Sequence, residues 1–271
     1  MLNGRITPRR LSRVVLDATA VSQQLAVVAL KATSVAHLLS GRLRPDHLIL
    51  ADAALLALGV LVIAAIHGPL PAARQSLRVG PPMLLGLVAL TPLFRTMTAA
   101  ISDDTAVASA ACSFFLHLLT YDYAFLNSYT ARLASPVSLG AAVFAALLLA
   151  SRLSDPEAVF GDVLLAVALF VLFPFLRRDV REASVAAHVA LTVASHAAAL
   201  GALAALPEGG GRTALVWGYV AGVGGVVVAC PAWLVRMMRF KRQINGPWDE
   251  AKPHPELLVR DARKERKNRD E

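Results

Sequence analysis

Mostly apolar stretches of roughly 20 residues follow one another along this sequence, and short connectors between them hold much of its charge. A helix of about 20 apolar residues is long enough to cross the roughly 30 Å hydrocarbon core of a bilayer. Only 17% of the residues are charged, whereas soluble domains carry about a quarter. The apolar stretches also lack the polar face that a soluble surface helix needs. The sequence therefore predicts an all-α polytopic membrane protein.

The apolar stretches predict about eight transmembrane helices. The third is punctuated by Pro81, Pro82 and Pro92, so we expect it to be broken or tilted. A basic N-terminus (1–16) and a charged C-terminal tail (238–271) flank the transmembrane domain (17–237). The predicted helices are 17–39, 48–66, 82–98, 105–126, 137–153, 158–176, 183–206 and 213–237.

The charges of the connectors predict the orientation. With eight crossings both termini lie on the same side, and that side collects most of the Lys and Arg residues. Because cytoplasmic connectors are enriched in Lys and Arg, both termini are predicted to be cytoplasmic. The net charge of +8 is assigned to contacts with anionic lipid headgroups and not with nucleic acid, because the basic clusters flank membrane segments.

Two ionisable residues lie inside apolar stretches, where a charge needs a partner. Lys31 in the first predicted helix and Asp52 in the second are close to the same short hairpin. We therefore expect a structural ion pair between them. Gly218 and Gly222 have the four-residue spacing that lets helices approach closely. They are predicted to pack against another helix of this chain or against a partner subunit.

Other polar residues within the helices are predicted to be packing groups. Gln23 and Gln24 are adjacent in the first helix and are expected to form hydrogen bonds to other helices. His188 and His196 are eight residues apart and therefore share one helix face. The sequence places no third ligand near them, which favours packing over metal binding.

A carboxylate flanked by tyrosines lies near the predicted cytoplasmic end of the fourth helix. The segment reads His117-Leu-Leu-Thr-Tyr121-Asp122-Tyr123. Tyrosines commonly anchor helices at the membrane interface. The carboxylate of Asp122 needs a donor, either Arg132 or an incoming polar headgroup. The residues alone leave structural and functional roles open.

A second distinctive segment follows the last predicted helix on the cytoplasmic side. A Gly-Pro pair predicts a turn, a tryptophan suits the membrane interface, and two acidic residues come next. This string is too particular for a generic membrane-anchoring belt. Its residues are Asn245, Gly246, Pro247, Trp248, Asp249 and Glu250.

Together these segments resemble the PIG-C family. The sequence from Phe240 to Ala251 is similar to the ending Phe-Lys-x-x-Ile-x-Gly-Pro-Trp-Asp-Glu-Ala of that family. The resemblance covers most of the chain, from Asp17 to Ala251. The other similar stretches, in the same order as in the family, are 21–25 (Val-Ser-Gln-Gln-Leu), 98–105, His117 with Asp122-Tyr123, and 149–153 (Leu-Ala-Ser-Arg-Leu).

PIG-C is the C subunit of phosphatidylinositol N-acetylglucosaminyltransferase. That complex transfers N-acetylglucosamine from UDP-GlcNAc to phosphatidylinositol, the first step of GPI-anchor synthesis. The resemblance implies a non-catalytic, multi-pass subunit of the endoplasmic reticulum membrane without a cofactor of its own, because catalysis in the family is attributed to PIG-A. Our own hypothesis is that His117, the 121–123 segment, Arg132 and the 245–250 segment contribute to lipid binding or complex docking. The implied partners are a PIG-A-like catalytic subunit, subunits of the PIG-H, PIG-P, PIG-Q and PIG-Y types, and phosphatidylinositol.

Two other function classes stay open. A small-solute transporter would have internal repeats and half-helices around a midplane site. Pro92 marks one possible helix break, but no second half of the sequence matches the first. A self-contained lipid-modifying enzyme would need several carboxylates or histidines on one face. Only His117 and Asp122 come near that arrangement.

Overall fold

The computed structural model describes residues 10–96, 101–127, 129 and 135–240, and the elements in these ranges are all helical. Six helical segments are long and apolar enough to cross a membrane. The predicted all-α membrane class is therefore confirmed. The α-helices are α1 (Leu11–Leu39), α2 (Pro45–His67), α3 (Pro69–Thr96), α4 (Asp103–Thr120), α5 (Tyr123–Leu126), α6 (Pro136–Ala150), α7 (Pro156–Val167), α8 (Phe173–Ala183), α9 (Val185–Ala204), α10 (Gly210–Gly224) and α11 (Cys230–Met237).

Two π-helical turns keep long helical segments continuous ahead of a proline. Ala168–Leu172 joins α7 to α8, and Gly225–Ala229 joins α10 to α11. Pro174 and Pro231 are the second residues of the helices that follow. A proline cannot donate a helical hydrogen bond, and a π-turn lets the helix accommodate that loss without ending.

The predicted sixth helix (158–176) was too short, because α8 continues to Ala183. Arg178 and Glu182 stabilise this extension as an i,i+4 pair, with Arg178 Nε 2.9 Å from Glu182 Oε1. Consequently Arg177 and Arg181 belong to a helix and not to a connector. Their position on α8 brings both arginines to the site described below.

The predicted fourth helix (105–126) was too long. α4 ends at Thr120, and Tyr121 has an extended backbone. Asp122 then caps the short α5, since its Oδ1 accepts a hydrogen bond from the Phe125 backbone N–H at 3.1 Å. Aspartate is a favoured N-cap residue, so Asp122 begins a new helix instead of extending the old one.

The predicted break in the third helix is absent, because α3 runs without interruption from Pro69 to Thr96. Pro81, Pro82 and Pro92 all lie inside it. Membrane helices tolerate prolines where neighbouring groups satisfy the freed carbonyl groups. The prediction had also placed the start of this helix too late.

Small side chains bring the central helices into close contact. Ala106 and Ala110 of α4 are buried, as are Ala142, Ala145 and Ala146 of α6. Alanines let two helix backbones approach closely, which is the usual way that membrane helices pack. This tight pair positions the end of α4 beside the beginning of α6.

The outer helices expose large apolar side chains. Leu50 and Leu61 on α2, Leu85 on α3 and Trp217 on α10 are each more than 60% exposed. Such a surface suits contact with lipid or with other membrane subunits. The chain is therefore a multi-pass membrane protein.

Candidate functional site

The buried lysine of α1 pairs with a residue of α7, and the predicted Lys31–Asp52 ion pair is wrong. Lys31 Nζ lies 2.6 Å from Asp162 Oδ1. Ser34, nearly one helical turn along α1, donates to the same oxygen at 3.1 Å. The spacing of Lys31 and Ser34 directs both polar groups towards α7. Asp52 is fully buried nearby, and neither of its carboxylate oxygens has a hydrogen-bond partner in the described part of the chain.

A second buried network joins α1, α4, α6 and α8. Arg177 Nη2 donates to Gln24 Oε1 at 2.6 Å. The amide nitrogen of Gln24 then donates to His117 Nε2, also at 2.6 Å. His117 Nδ1 therefore carries the ring proton and donates to the Ser138 carbonyl oxygen at 2.9 Å. We call Gln24, His117, Ser138 and Arg177 the polar layer.

Arg177 is the charged member of the polar layer and is only 2% exposed. Its guanidinium carbon lies 5.6 Å from the ring centre of Tyr121 and 5.5 Å from that of Phe173. Its Nε and Nη1 atoms have no hydrogen-bond partner among the described residues, and neither has the Tyr121 hydroxyl. Aromatic faces and one amide are thus the contacts that stabilise this cation.

Three predicted aromatic rings lie together where α4 ends, and of these His117 belongs to the polar layer. The rings of His117 and Tyr121 are 5.3 Å apart, and those of Tyr121 and Tyr123 are 5.4 Å apart. The Tyr123 hydroxyl donates to the Leu118 carbonyl oxygen at 2.6 Å. Burial raises the pKa of Tyr123 to about 12, so this tyrosine stays neutral at physiological pH. Asp122 lies between the two tyrosines and caps α5.

A charged cluster fixes this end of the bundle, which we call the Asp17 end. Arg181 Nη2 lies 2.5 Å from Asp17 Oδ1, and Arg181 Nη1 donates to Asn127 Oδ1 at 2.6 Å. The Tyr129 hydroxyl donates to Asp17 Oδ2 at 2.8 Å. The cluster joins the beginning of α1, the end of α8 and the residues after α5.

The other predicted site residues divide into two groups. Arg132 and the segment from Asn245 to Glu250 lie outside the described residues. Gly222 faces α1, where an added Cβ would meet Leu25 Cδ2 at 3.5 Å, but nothing lies within 4 Å of a Cβ added at Gly218. Of these two glycines, only Gly222 lies against another helix of this chain among the described residues.

The polar residues predicted to serve packing form hydrogen bonds between helices. Gln23 donates to Thr192 Oγ1 of α9 at 2.8 Å, and Gln24 donates to His117 Nε2 of α4 at 2.6 Å. His188 Nε2 is 2.8 Å from Thr19 Oγ1, and His196 Nδ1 is 2.7 Å from the Tyr219 hydroxyl. Within the described ranges no three His, Cys, Asp or Glu residues are arranged to hold a metal ion.

The roles of Arg177 and Asp162 were not predicted from the sequence. Asp162 is preceded by Gly161, and both lie within an apolar stretch that was predicted to be helical. A single carboxylate in an apolar helix needs a partner, so Asp162 was the sequence signal for a buried charge besides Lys31 and Asp52. Arg177 was hidden by the early end assigned to the sixth helix. Hydrogen bonding by the adjacent glutamines was predicted, but the sequence did not give their partners.

The chain matches a known protein family over almost its whole length. The family model for phosphatidylinositol N-acetylglucosaminyltransferase (GPI2) matches residues 2–249. A Dictyostelium discoideum protein provisionally named as the C subunit of this transferase is 36% identical over 243 residues, covering 88% of this chain and 68% of that protein.

Two mammalian proteins are also similar. The C subunit of the Homo sapiens transferase is 28% identical over 250 residues, covering 90% of this chain and 82% of the human protein. The C subunit of the Bos taurus transferase is 32% identical over 167 residues, which cover 62% of this chain and 54% of the bovine protein. No solved structure matches this chain significantly.

Proposed function

This chain belongs to the GPI2 family of phosphatidylinositol N-acetylglucosaminyltransferase, and we propose that it is the non-catalytic C subunit of that complex in the endoplasmic reticulum. The complex would transfer N-acetylglucosamine from UDP-GlcNAc to phosphatidylinositol. The match over residues 2–249 carries this proposal. Its partners would be a PIG-A-like catalytic subunit and membrane subunits of the PIG-H, PIG-P, PIG-Q and PIG-Y types.

The partners of His117 support a non-catalytic role. Both ring nitrogens are used inside the protein, one accepting from Gln24 and the other donating to Ser138. A general acid or base needs one ring nitrogen within reach of the substrate. The layer is suited to holding four helices in register at the Asp17 end, where partner subunits and lipid headgroups would meet it.

The proposed topology has eight crossings, formed by the six long apolar segments together with α4 and α6. Contacts at the helix ends support alternating directions. Arg152, after α6, is 2.8 Å from Asp103 at the start of α4, and His37 near the end of α1 is 2.9 Å from the Ala202 carbonyl near the end of α9. With the positive-inside rule, the Asp17 end and both termini would be cytoplasmic.

Two segments would act at that cytoplasmic side. Asp122 would accept hydrogen bonds from inositol hydroxyls or hold Arg132, next to Tyr121 and Tyr123. Trp248 and the acidic residues after it would form part of the surface that docks the catalytic subunit. These roles rest on the sequence resemblance and on the position of Tyr121 to Leu126 beside the polar layer. This segment, which links α4 to α5 and includes α5, is called the 121–126 turn.

Complementation tests this function. The chain is expressed in cells lacking their own PIG-C, and GPI-anchored proteins are counted at the cell surface. We expect anchors to return, whereas an Asp162→Leu variant, which leaves Lys31 unpaired, restores few. The control co-expresses partner subunits from the same species as this chain. If the chain is then stable in the endoplasmic reticulum but no GPI-anchored proteins reach the cell surface, the assignment is refuted.

A further inference from the structure

The three arginines of α8 differ in their partners. Arg178 pairs with Glu182 at 2.9 Å, and Arg181 pairs with Asp17 at 2.5 Å. Arg177 is more deeply buried than either, yet no described carboxylate lies within ion-pair distance of it. The acceptor that lies within 3.5 Å of it among the described residues is the neutral amide oxygen of Gln24. Among the described residues of α8, the most buried cation is therefore the one without an anion.

A buried guanidinium is costly when no anion balances it. Arginine stays protonated in proteins, so the group cannot lose its charge to escape the cost. Contacts with the rings of Tyr121 and Phe173 offset only part of the lost hydration. The missing counter-charge is therefore expected to come from a group outside the described residues.

The donors that remain unused define the chemistry of that group. Arg177 Nε and Nη1 each have an N–H without an acceptor, and the Tyr121 hydroxyl beside them is also without a partner in the described chain. Nε and Nη1 lie on different edges of the guanidinium, so each can donate to a phosphate or carboxylate oxygen alone or together with the second N–H of Nη2. A hydroxyl donor nearby adds a third contact, which suits the several oxygens of a phosphate.

The position of Arg177 favours a lipid as the source of the phosphate. It lies one helical turn before Arg181, about 6 Å deeper along α8 than the charged cluster of the Asp17 end. Phospholipid phosphates occupy the polar region bordering the hydrocarbon core. Tyr121 follows α4 and has an extended backbone, so it lies at the end of the helix that is nearest this region.

We propose that Arg177 and Tyr121 form a seat for the phosphate of an inositol phospholipid, with Gln24 holding the guanidinium in place. The lipid identity rests on the proposed function, but the phosphate chemistry rests on the unpaired donors. The seat would fix the phosphodiester at one depth. The inositol ring would then extend past the 121–126 turn towards the cytoplasmic side.

The test measures lipid binding by the full-length chain, in nanodiscs of phosphatidylcholine with added photoactivatable phosphatidylinositol. Three variants are compared with the wild type: Arg177→Gln, Arg177→Lys and the matched control Arg178→Gln. We expect Arg177→Gln to weaken binding about tenfold or more, since charge-assisted hydrogen bonds to the phosphate are lost. Arg177→Lys keeps the charge without the fork and is expected to bind with intermediate affinity. Arg178→Gln is expected to bind like the wild type.

A second readout separates binding from folding. Phosphatidylinositol is expected to raise the unfolding temperature of the wild type and of Arg178→Gln, but not that of Arg177→Gln. If Arg177→Gln does not fold, the comparison of Arg177→Lys with Arg178→Gln decides. Equal binding and equal stabilisation in all folded variants would overturn the seat.

Competition identifies the source of the phosphate. Unlabelled phosphatidylinositol is expected to displace the probe, while inorganic phosphate and glycerophosphoinositol, which lacks acyl chains, are expected to displace little. Displacement by inorganic phosphate at similar concentrations would overturn the lipid assignment.

Because these assays use the chain alone, their failure alongside successful complementation would refute only the seat. Failed complementation with intact binding would refute only the proposed function.

Discussion

Lys31 and Asp162 form an ion pair in which both side chains are completely buried, with Nζ 2.6 Å from Oδ1. Asp52 is equally buried, but its carboxylate has no hydrogen-bond partner in the described ranges. Lys31 therefore has two buried carboxylates near it, and of these two it pairs with Asp162 on α7. The two aspartates consequently have different roles, and their substitutions should have different effects.

Replacing Asp162 should be far more damaging than replacing Asp52. Asp162→Leu leaves the Lys31 ammonium buried without a partner, which typically costs about 3–5 kcal/mol of stability. Asp52→Asn removes a buried carboxylate that balances no cation directly, so we expect unchanged or higher stability. Thermal unfolding of the purified chain in detergent, followed by size-exclusion chromatography, measures both effects.

A double variant controls for the loss of Asp162 itself. Lys31→Met combined with Asp162→Leu replaces the pair by apolar side chains of similar size, and such replacements are often neutral. We therefore expect the double variant to recover most of the stability. If Asp52→Asn were as damaging as Asp162→Leu, Lys31 would instead depend on the carboxylate of α2.

The Asp17–Arg181 pair should couple α1 to α8 energetically. Arg181→Ala removes hydrogen bonds to Asp17 and Asn127, and we expect the free energy of unfolding to fall by about 2 kcal/mol. A double-mutant cycle with Asp17→Ala measures the coupling of the two side chains. Additive effects of the two single variants would show that the contact contributes no interaction energy.

The general architecture could be predicted because it follows from local composition. Apolar stretches of sufficient length give membrane helices whatever their neighbours are. Hydrogen bonding by Gln24 was likewise predictable, because an amide in an apolar helix needs a partner. These conclusions depend on one segment at a time.

The identity of buried partners could not be predicted, because it depends on how helices distant in sequence are arranged. Lys31 and Asp162 are 131 positions apart, whereas Asp52 is close in sequence and was therefore the expected partner. The end of the sixth helix was also missed, because a stretch rich in charge was taken for a connector. The i,i+4 pair of Arg178 and Glu182 was the local sign that the helix continues.

Substitutions of Asp122 should separate its capping role from its proposed lipid role. Asp122→Ala removes the cap of α5, which typically costs about 1 kcal/mol, and also removes the carboxylate. Asp122→Asn keeps a favoured cap residue but loses the negative charge. We expect both variants to lower transferase activity of the assembled complex while the subunits still co-purify. Full activity of Asp122→Asn would limit the residue to a structural role.

Trp248 is expected to contribute to docking of the catalytic subunit. Tryptophan is enriched among the residues that dominate binding energies at interfaces, where truncation to alanine costs about 2 kcal/mol or more. Trp248→Ala should therefore lower the recovery of the catalytic subunit by more than about tenfold when this chain is purified by affinity. Trp217→Ala is the matched control, because Trp217 lies in the middle of α10 and is 67% exposed on the apolar surface. Equal recovery with Trp248→Ala and Trp217→Ala would remove the tail from the docking surface and leave the 121–126 turn as the remaining candidate.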